Sequence, residues 1–331
     1  MTRPGHDLPL RIVTPTDADE LFLFDPGPRD APPGTRSVAK RKGGAVIPAV
    51  EEQLVMPPAG QDSLVADDEG LLSRVIHMHS SDKDHYVHYY ADIVGTGMRQ
   101  KFPLAWVELF AGPGRLFNVD RERFEKGSPL RALDVRNPFG TYVFSDLDPA
   151  CVASLRHRVG VTPGVHVLEG DANSARLLDE VRQLVSPDAL VVLYLDPEGL
   201  ELHFDTIRYF AQRYPRLDLL LNLQVRGAIR YLRAPGNTTR AAHMLGTGDP
   251  RALIEQRANH RWGPSIREFF ERQLRGLGYD HFETQVINSH SRNAHQYDLL
   301  LASRDPKAAE FFREAQRRGP RGLMTMDLFG A

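Results

Sequence analysis

Three acidic side chains follow short apolar runs and a fourth lies within one. Glu108 falls within the run 104–110, Asp146 follows 141–145, Asp171 follows 165–169, and Asp196 follows 189–195. A carboxylate accepts two hydroxyl protons at once, so it suits a ribose diol, and it can equally accept from an exocyclic amine. A buried carboxylate also stabilises a nearby cation through its field. Gly112 and Gly114 follow the first run and permit close backbone approach. Four successive strand ends bearing acids, with a Gly loop at the first, describe a binding crevice at the carboxyl edge of a parallel sheet. Asp148 fits the same set and equally suits a helix N-cap before Pro149.

The glycine spacing excludes two rivals. It is not G-x-x-x-x-G-K-[ST], which disfavours a P-loop, and it is not G-x-G-x-x-G opening directly into a helix. Residues 115–126 intervene, so no helix N-terminus stands behind the glycines to hold a pyrophosphate. A ligand without phosphate, with an amino-acid end, a ribose and an adenine, fits better. S-adenosylmethionine is such a ligand. In this expectation Gly112 and Gly114 admit the methionine end, Asp146 holds the ribose and Asp171 accepts from the adenine amine. Glu108 or Asp196 meets the ammonium or sulfonium, and Asp196 faces the methyl acceptor.

The elements needed to position these residues can be read from the 331-residue chain. Apolar runs at 104–110, 141–145, 165–169, 189–195 and 217–223 alternate with helical stretches, which predicts a parallel α/β sheet. The runs are nearly continuous in apolar residues, as strands covered on both faces require. Ser128 and Pro129 are expected to cap and open a helix. A further helix is expected from Ser81, ended by Gly95 and Gly97. Two strands, 283–288 and 297–303, suggest a closing hairpin. Residues 1–70 are rich in Pro and Gly and read as a poorly ordered leader, leaving 71–331 as the main domain. The stretch 226–263 breaks the alternation and reads as an Arg-rich helical insertion.

Composition narrows the class further. No run of about 18 apolar residues is present, which excludes a membrane helix. The single cysteine, Cys151, excludes an internal disulfide and a Cys-based zinc site, and a cytoplasmic protein is expected. The net charge is −2, but acids dominate the first 200 residues and Arg the remainder. Arg226, Arg230 and Arg233 step along one helical face and could meet phosphates.

The sequence resembles class I S-adenosylmethionine-dependent methyltransferases. The motifs are Glu-Leu-Phe-Ala-Gly-Pro-Gly at 108–114, Asp-Leu-Asp-Pro at 146–149, Glu-Gly-Asp-Ala-Asn at 169–173 and Asp-Pro-Glu-Gly-Leu at 196–200. More narrowly, these look like the three-Cys-motif partner proteins, a bacterial family. Ser81-Asp-Lys83 with Tyr86, Gly127-Ser128-Pro129-Leu130 and the stretch 297–304 add to the match, which covers about 77–315. The resemblance implies a doubly wound, Rossmann-like, mostly parallel seven-stranded sheet with a C-terminal antiparallel hairpin and a helical insertion. It implies S-adenosylmethionine as cofactor and a genetically linked radical-S-adenosylmethionine-like protein as partner. Cofactor binding would fall to Glu108, Phe110, Ala111, Gly112, Gly114, Asp146, Leu147, Asp148, Gly170, Asp171, Ala172 and Asp196. Asp196, Pro197 and Glu198 would form the catalytic motif. Lys83, Arg115, Arg226, Arg230 and Arg233 would contact substrate or nucleic acid.

Methyltransferases acting on base amines use Asp/Asn-Pro-Pro-aromatic at the fourth strand. Here Asp196-Pro197 is kept and Glu198-Gly199 replaces the stacking platform. The alternative reading is therefore a non-catalytic partner or nucleic-acid-binding module that retains the fold. Residues 115–126 read as a lid above the site. Cys151 is a poor candidate for a catalytic thiol, and His77, His79, His85 and His88 read as surface histidines with no metal.

Overall fold

The computed structural model describes residues 64–233, 238–255, 261–288 and 295–318. The leader expectation therefore lies outside the described residues up to residue 63. Its last part, expected to be unstructured, already forms a strand.

The chain first lays down β1 (Leu64–Ala66) and β2 (Leu72–Ile76), then the 21-residue helix α1 (Met78–Met98). The parallel core begins with β3 (Leu104–Glu108) and continues through β6 (Thr141–Asp146), β7 (Val165–Glu169), β8 (Leu190–Leu195) and β9 (Leu217–Leu223). A hairpin of β10 (His281–Asn288) and β11 (His295–Ser303) closes it. The sheet order is β10-β11-β9-β8-β3-β6-β7, with β11 antiparallel to β9 and β10. This is the doubly wound, mostly parallel seven-stranded sheet with an antiparallel hairpin expected from the sequence. The order reverses at β3, which pairs in parallel with β6 on one side and β8 on the other. The connections therefore diverge there, at the point where open α/β sheets place their ligands.

Alternate side chains of each strand enter one of two cores. Val107, Val143, Leu193 and Leu221 face α4 (Ala175–Leu184), α5 (Phe204–Arg213) and the helices after β9. Trp106, Phe144, Tyr194 and Leu220 face α1 and α9 (Pro306–Arg317). Side-chain caps fix several helix starts. Asp148 accepts from Ala150 N at the start of α3 (Pro149–Val159), Ser174 from Leu177 N, and Asp305 from Lys307 N. Each is worth about 1 kcal/mol. Among the described residues of the expected Arg-rich insertion, 226–263, the chain forms α6 (Val225–Arg233), α7 (Thr239–Leu245) and the start of α8 (Trp262–Arg275). Among the described residues no helix is long and apolar enough to cross a membrane.

Three local expectations change. Gly95 and Gly97 lie inside α1 rather than ending it. A Cβ at Gly95 would stand 2.2 Å from the Asn137 carbonyl oxygen, and one at Gly97 3.0 Å from the Phe311 ring. These glycines serve close packing, not termination. Ser128 opens α2 (Ser128–Leu133) as expected, but Gly127 takes the cap position. The Ser128 hydroxyl instead donates to Glu108. The supposed lid, 115–126, is a hairpin of β4 (Arg115–Asn118) and β5 (Arg123–Lys126). With β1 and β2 it forms a second sheet of order β1-β2-β4-β5.

That small sheet is held by polar groups. Arg158 on α3 donates to Leu72 O and Asp67 Oδ2, both at 2.6 Å, and also bonds Pro113 O. Burial alone would raise the Asp67 carboxyl, but bonds from Arg158, from two backbone amides and from Arg115 hold it below its usual value. At the other end Glu125 accepts from Ser81 Oγ at 2.6 Å, Arg123 at 3.0 Å and Arg121 at 3.1 Å, tying the hairpin to α1.

Candidate functional site

The site is built from the ends of β3, β6 and β8. Gly112 and Gly114 have φ of 61° and 84°. At Gly114 a Cβ would meet Leu155 at 2.6 Å, so only glycine allows this turn to lie against α3. The Gly112 amide donates to Asp146 Oδ2 at 2.7 Å, and Asp148 N donates to Asp146 Oδ1 at 3.0 Å. Gly170 N bonds the Asp146 carbonyl at 3.0 Å, which sets the third loop beside the second. Thus Gly112, Asp146 and Gly170 lie together at this edge. Leu147 stands beside them as an apolar side chain 69% exposed. Phe110 is half-buried against the core, and Ala111 and Ala172 are buried.

Asp171 is exposed, and its Oδ1 accepts from Asn173 N at 2.8 Å. Asn173 ties this loop to the fourth by donating to Glu201 O and accepting from His203 N.

Below the rim lies a buried ionic cluster. Asp196 accepts from Lys83 of α1 through Oδ2 and from Asn222 Nδ2, at 2.7 Å, through Oδ1. Lys83 is 6% exposed, with Asp84 Oδ1 3.8 Å from its ammonium. Glu108 is fully buried, accepting from Ser128 and from Trp106 Nε1 at 3.2 Å. Burial pushes the Glu108 carboxyl up to about 8, opposed by those two hydrogen bonds and reinforced by Asp196 and Asp84. Burial likewise pushes Asp84 up to about 6, with Lys83 opposing. For Lys83 burial alone would lower the ammonium, but Asp196 and Asp84 hold it above its ordinary value. Lys83 is therefore a fixed cation at neutral pH, not a base, and its burial removes it from direct contact with a nucleic-acid backbone. Asn222 Oδ1 is buried without a hydrogen-bond partner.

Other expected residues are engaged within the fold. Pro197 O accepts from Gln224 Nε2 at 2.8 Å. With Lys83 and Asn222 on Asp196, every acceptor of the strand-four motif already has an internal donor. Glu198 pairs with Arg74 of β2. Arg115 is held by Asp67 at 2.9 Å and Asp68 at 2.7 Å inside the small sheet. Cys151 is buried and its thiol is pushed up to about 12 by burial, which makes it inert as a nucleophile. His88 Nδ1 bonds Arg131 O at 3.0 Å and the His85 ring packs on Tyr89, so neither is set for a metal. Arg226, Arg230 and Arg233 are exposed on one face of α6.

Sequence reasoning missed Arg74 and Asp84. Arg74 sits in a strand too short and too polar to register as one. Asp84 looks like an ordinary acid of a first helical turn. The buried Lys83 had a faint signal, because the chain uses Arg almost everywhere and Lys only six times.

No family model matches the chain, and no curated protein matches it significantly. Solved structures with partial similarity are found. The protein LPL1258 from Legionella pneumophila has a TM-score of 0.48 and 13% identity, covering 73% of this chain and 94% of its own. An O-methyltransferase from Bacillus cereus in complex with SAH has a TM-score of 0.41 and 12% identity, covering 67% and 80%. A spermidine synthase in complex with the analogue AdoDATO has a TM-score of 0.43 and 8% identity, covering 82% and 76%. At these values the fold assignment rests on the strand order itself.

Proposed function

We propose that this chain binds S-adenosylmethionine at the β3/β6/β8 edge and acts as a methyltransferase. The observation that carries the reading is the convergence of a positive-φ glycine loop on Asp146 at the same sheet edge as the ionic cluster of Lys83, Glu108 and Asp196. The donor set fits the cofactor. Asp146 offers carboxylate oxygens to a ribose diol, Leu147 offers an apolar surface to a purine, and the unpartnered Asn222 Oδ1 offers an acceptor beside Asp196. When bound, the sulfonium supplies an electrophilic methyl group. The chain's own part is to orient the ligand and to stabilise its positive charge. Lys83 and Asn222 fix the Asp196 carboxylate in one orientation, facing the acceptor.

The test is calorimetric titration with S-adenosylmethionine and S-adenosylhomocysteine. Micromolar binding is expected for the wild type, and a loss of tenfold or more in Asp146→Ala, which loses its bonds to Gly112 and the ribose. Absence of binding in the wild type refutes the proposal.

The finer assignment to the three-Cys-motif partner proteins, with a radical-S-adenosylmethionine-like protein as partner, is part of this proposal and is supported by the sequence motifs. Co-purification with that linked protein tests it. A second reading, nucleic acid as the substrate or bound molecule, is favoured by α6. Its Arg226, Arg230 and Arg233 face solvent with no carboxylate partner among the described residues, and Arg233 lies 5.4 Å from the Trp262 ring. Replacing all three by Ala should flatten the salt dependence of single-stranded RNA or DNA binding.

A further inference from the structure

We infer that Arg74 is the anchor for a ligand carboxylate beside Gly112, and that Glu198 occupies this anchor as an internal stand-in. The inference rests on the cofactor reading above and names a contact which that reading does not need.

Arg74 projects from β2 across the glycine loop. Its Nε is 3.5 Å and its Nη2 3.7 Å from the point where a Cβ on Gly112 would stand. Its field also reaches the Cys151 thiol in the first turn of α3. The guanidinium thus sits over the loop that the methionine end must approach. The loop itself, 112–114, is buried beneath the small sheet. The guanidinium carries the carboxylate of Glu198, from the loop after β8. A planar guanidinium facing a carboxylate is the geometry by which a free α-carboxylate is recognised.

The two partners are not equally fixed. Arg74 belongs to a strand paired on both sides, with β1 and with β4, and Arg158 stitches that strand to α3. Glu198 is a long side chain on a loop, 45% exposed, against 20% for Arg74. The loop holds its own turn through bonds from Glu198 N and Gly199 N to Glu201, independent of the Glu198 carboxyl. The Glu198 side chain can therefore swing out to solvent while Arg74 stays in place.

The charges suit a zwitterion. Arg74 offers a cation to the ligand's carboxylate, and Asp196, at the end of β8, offers a carboxylate to its ammonium or sulfonium. Exchange of Glu198 for the ligand's carboxylate keeps Arg74 paired throughout, so no buried cation is exposed. The exchange also makes Glu198 a competitor, because the ligand must displace it and its apparent affinity falls accordingly.

The experiment compares two probes by calorimetry on the full chain. S-adenosylhomocysteine has the amino-acid end, and 5′-methylthioadenosine lacks it. Arg74→Ala is expected to weaken S-adenosylhomocysteine about tenfold to a hundredfold and to leave 5′-methylthioadenosine unchanged. The second probe thus reports that the variant is folded. Glu198→Gln is expected to tighten S-adenosylhomocysteine about threefold to tenfold, again without effect on 5′-methylthioadenosine. Equal losses for both probes in Arg74→Ala, or no loss for either, overturn the anchor. Weaker or unchanged S-adenosylhomocysteine binding in Glu198→Gln overturns the stand-in. If the wild type binds neither probe, the cofactor reading itself fails and takes the anchor with it. If it binds both and the variants do not discriminate, the cofactor reading survives alone.

Discussion

The carboxyl edge of the large sheet has two halves that use the same residue type differently. In the buried half, Glu108 and Asp84 are buried together with Lys83, whose ammonium pairs with the half-buried Asp196. In the open half, Asp146 and Asp148 are half-buried and Asp171 is exposed, and all three accept backbone amides that shape the surrounding loops. Burial makes the first set an electrostatic device, with two carboxyls displaced upward and an ammonium held charged. Exposure leaves the second set as geometric devices, fixing where a ligand's hydroxyls and amines would fall. The largest test of this contrast is removal of the cation. Lys83→Met should cost about 3–5 kcal/mol in urea unfolding, because it strands Asp196 beside two further acids. Adding Asp196→Asn should restore part of that loss, and a double-mutant cycle measures the coupling. A cost under about 1 kcal/mol for Lys83→Met would show that the buried half is wetter than the structure indicates.

Glu108 gives the next largest effect, through pH. Its folded carboxyl titrates near 8, against 4.5 for the ordinary group. Between those values the unfolded chain has lost the proton and the folded chain keeps it. The folded state therefore binds more protons, and stability falls as pH rises through this window. The wild type is at its best, in this respect, below about pH 4.5, and the loss is complete above about pH 8. Glu108→Gln removes the titration while filling the same space, and the Ser128 hydroxyl can turn to accept from the new amide. The variant should match the wild type near pH 4.5 and exceed it by on the order of 4 kcal/mol at pH 8. Denaturant midpoints measured at several pH values check this, and parallel curves for the two proteins would contradict it.

The same contrast explains which features were legible in the sequence. The parallel strands are apolar at nearly every position because both faces are covered, so β7, α3, α4, α5 and β9 could be delimited from pattern alone. The acids at their ends were visible for the same reason, as polar residues ending apolar runs. The small sheet was not visible. Its strands are three to five residues long, rich in charge, and stabilised by Arg158, Asp67, Glu125 and Ser81, which are far apart in the chain. No local period encodes an ion pair between residues 67 and 158. Arg74 and its contact with Glu198 were hidden with it. The burial of Lys83 had only the faint signal of a rare Lys, since its helix neighbours Asp82 and Asp84 suggest a solvated turn.

Asp171 is the finest probe of the open half. The sequence assigns it to the adenine amine, while in the structure one of its oxygens is taken by Asn173 N and Nδ2. The other oxygen faces solvent from an exposed residue, so it is free to accept a ligand amine at small cost. Asp171→Asn should change unfolding stability by less than about 0.5 kcal/mol, as exposed sites do. Its effect should appear in selectivity. S-adenosylhomocysteine presents an amine donor at the purine edge, and its deaminated inosyl analogue presents a carbonyl acceptor there. The wild type should prefer the amine form by about tenfold, because an acceptor facing Asp171 leaves two oxygens opposed. Asn offers both an acceptor and a donor at that position, so the variant should bind the two forms within about twofold of each other. A preference that survives in Asp171→Asn would move the purine edge away from the third loop and onto Leu147 and the second.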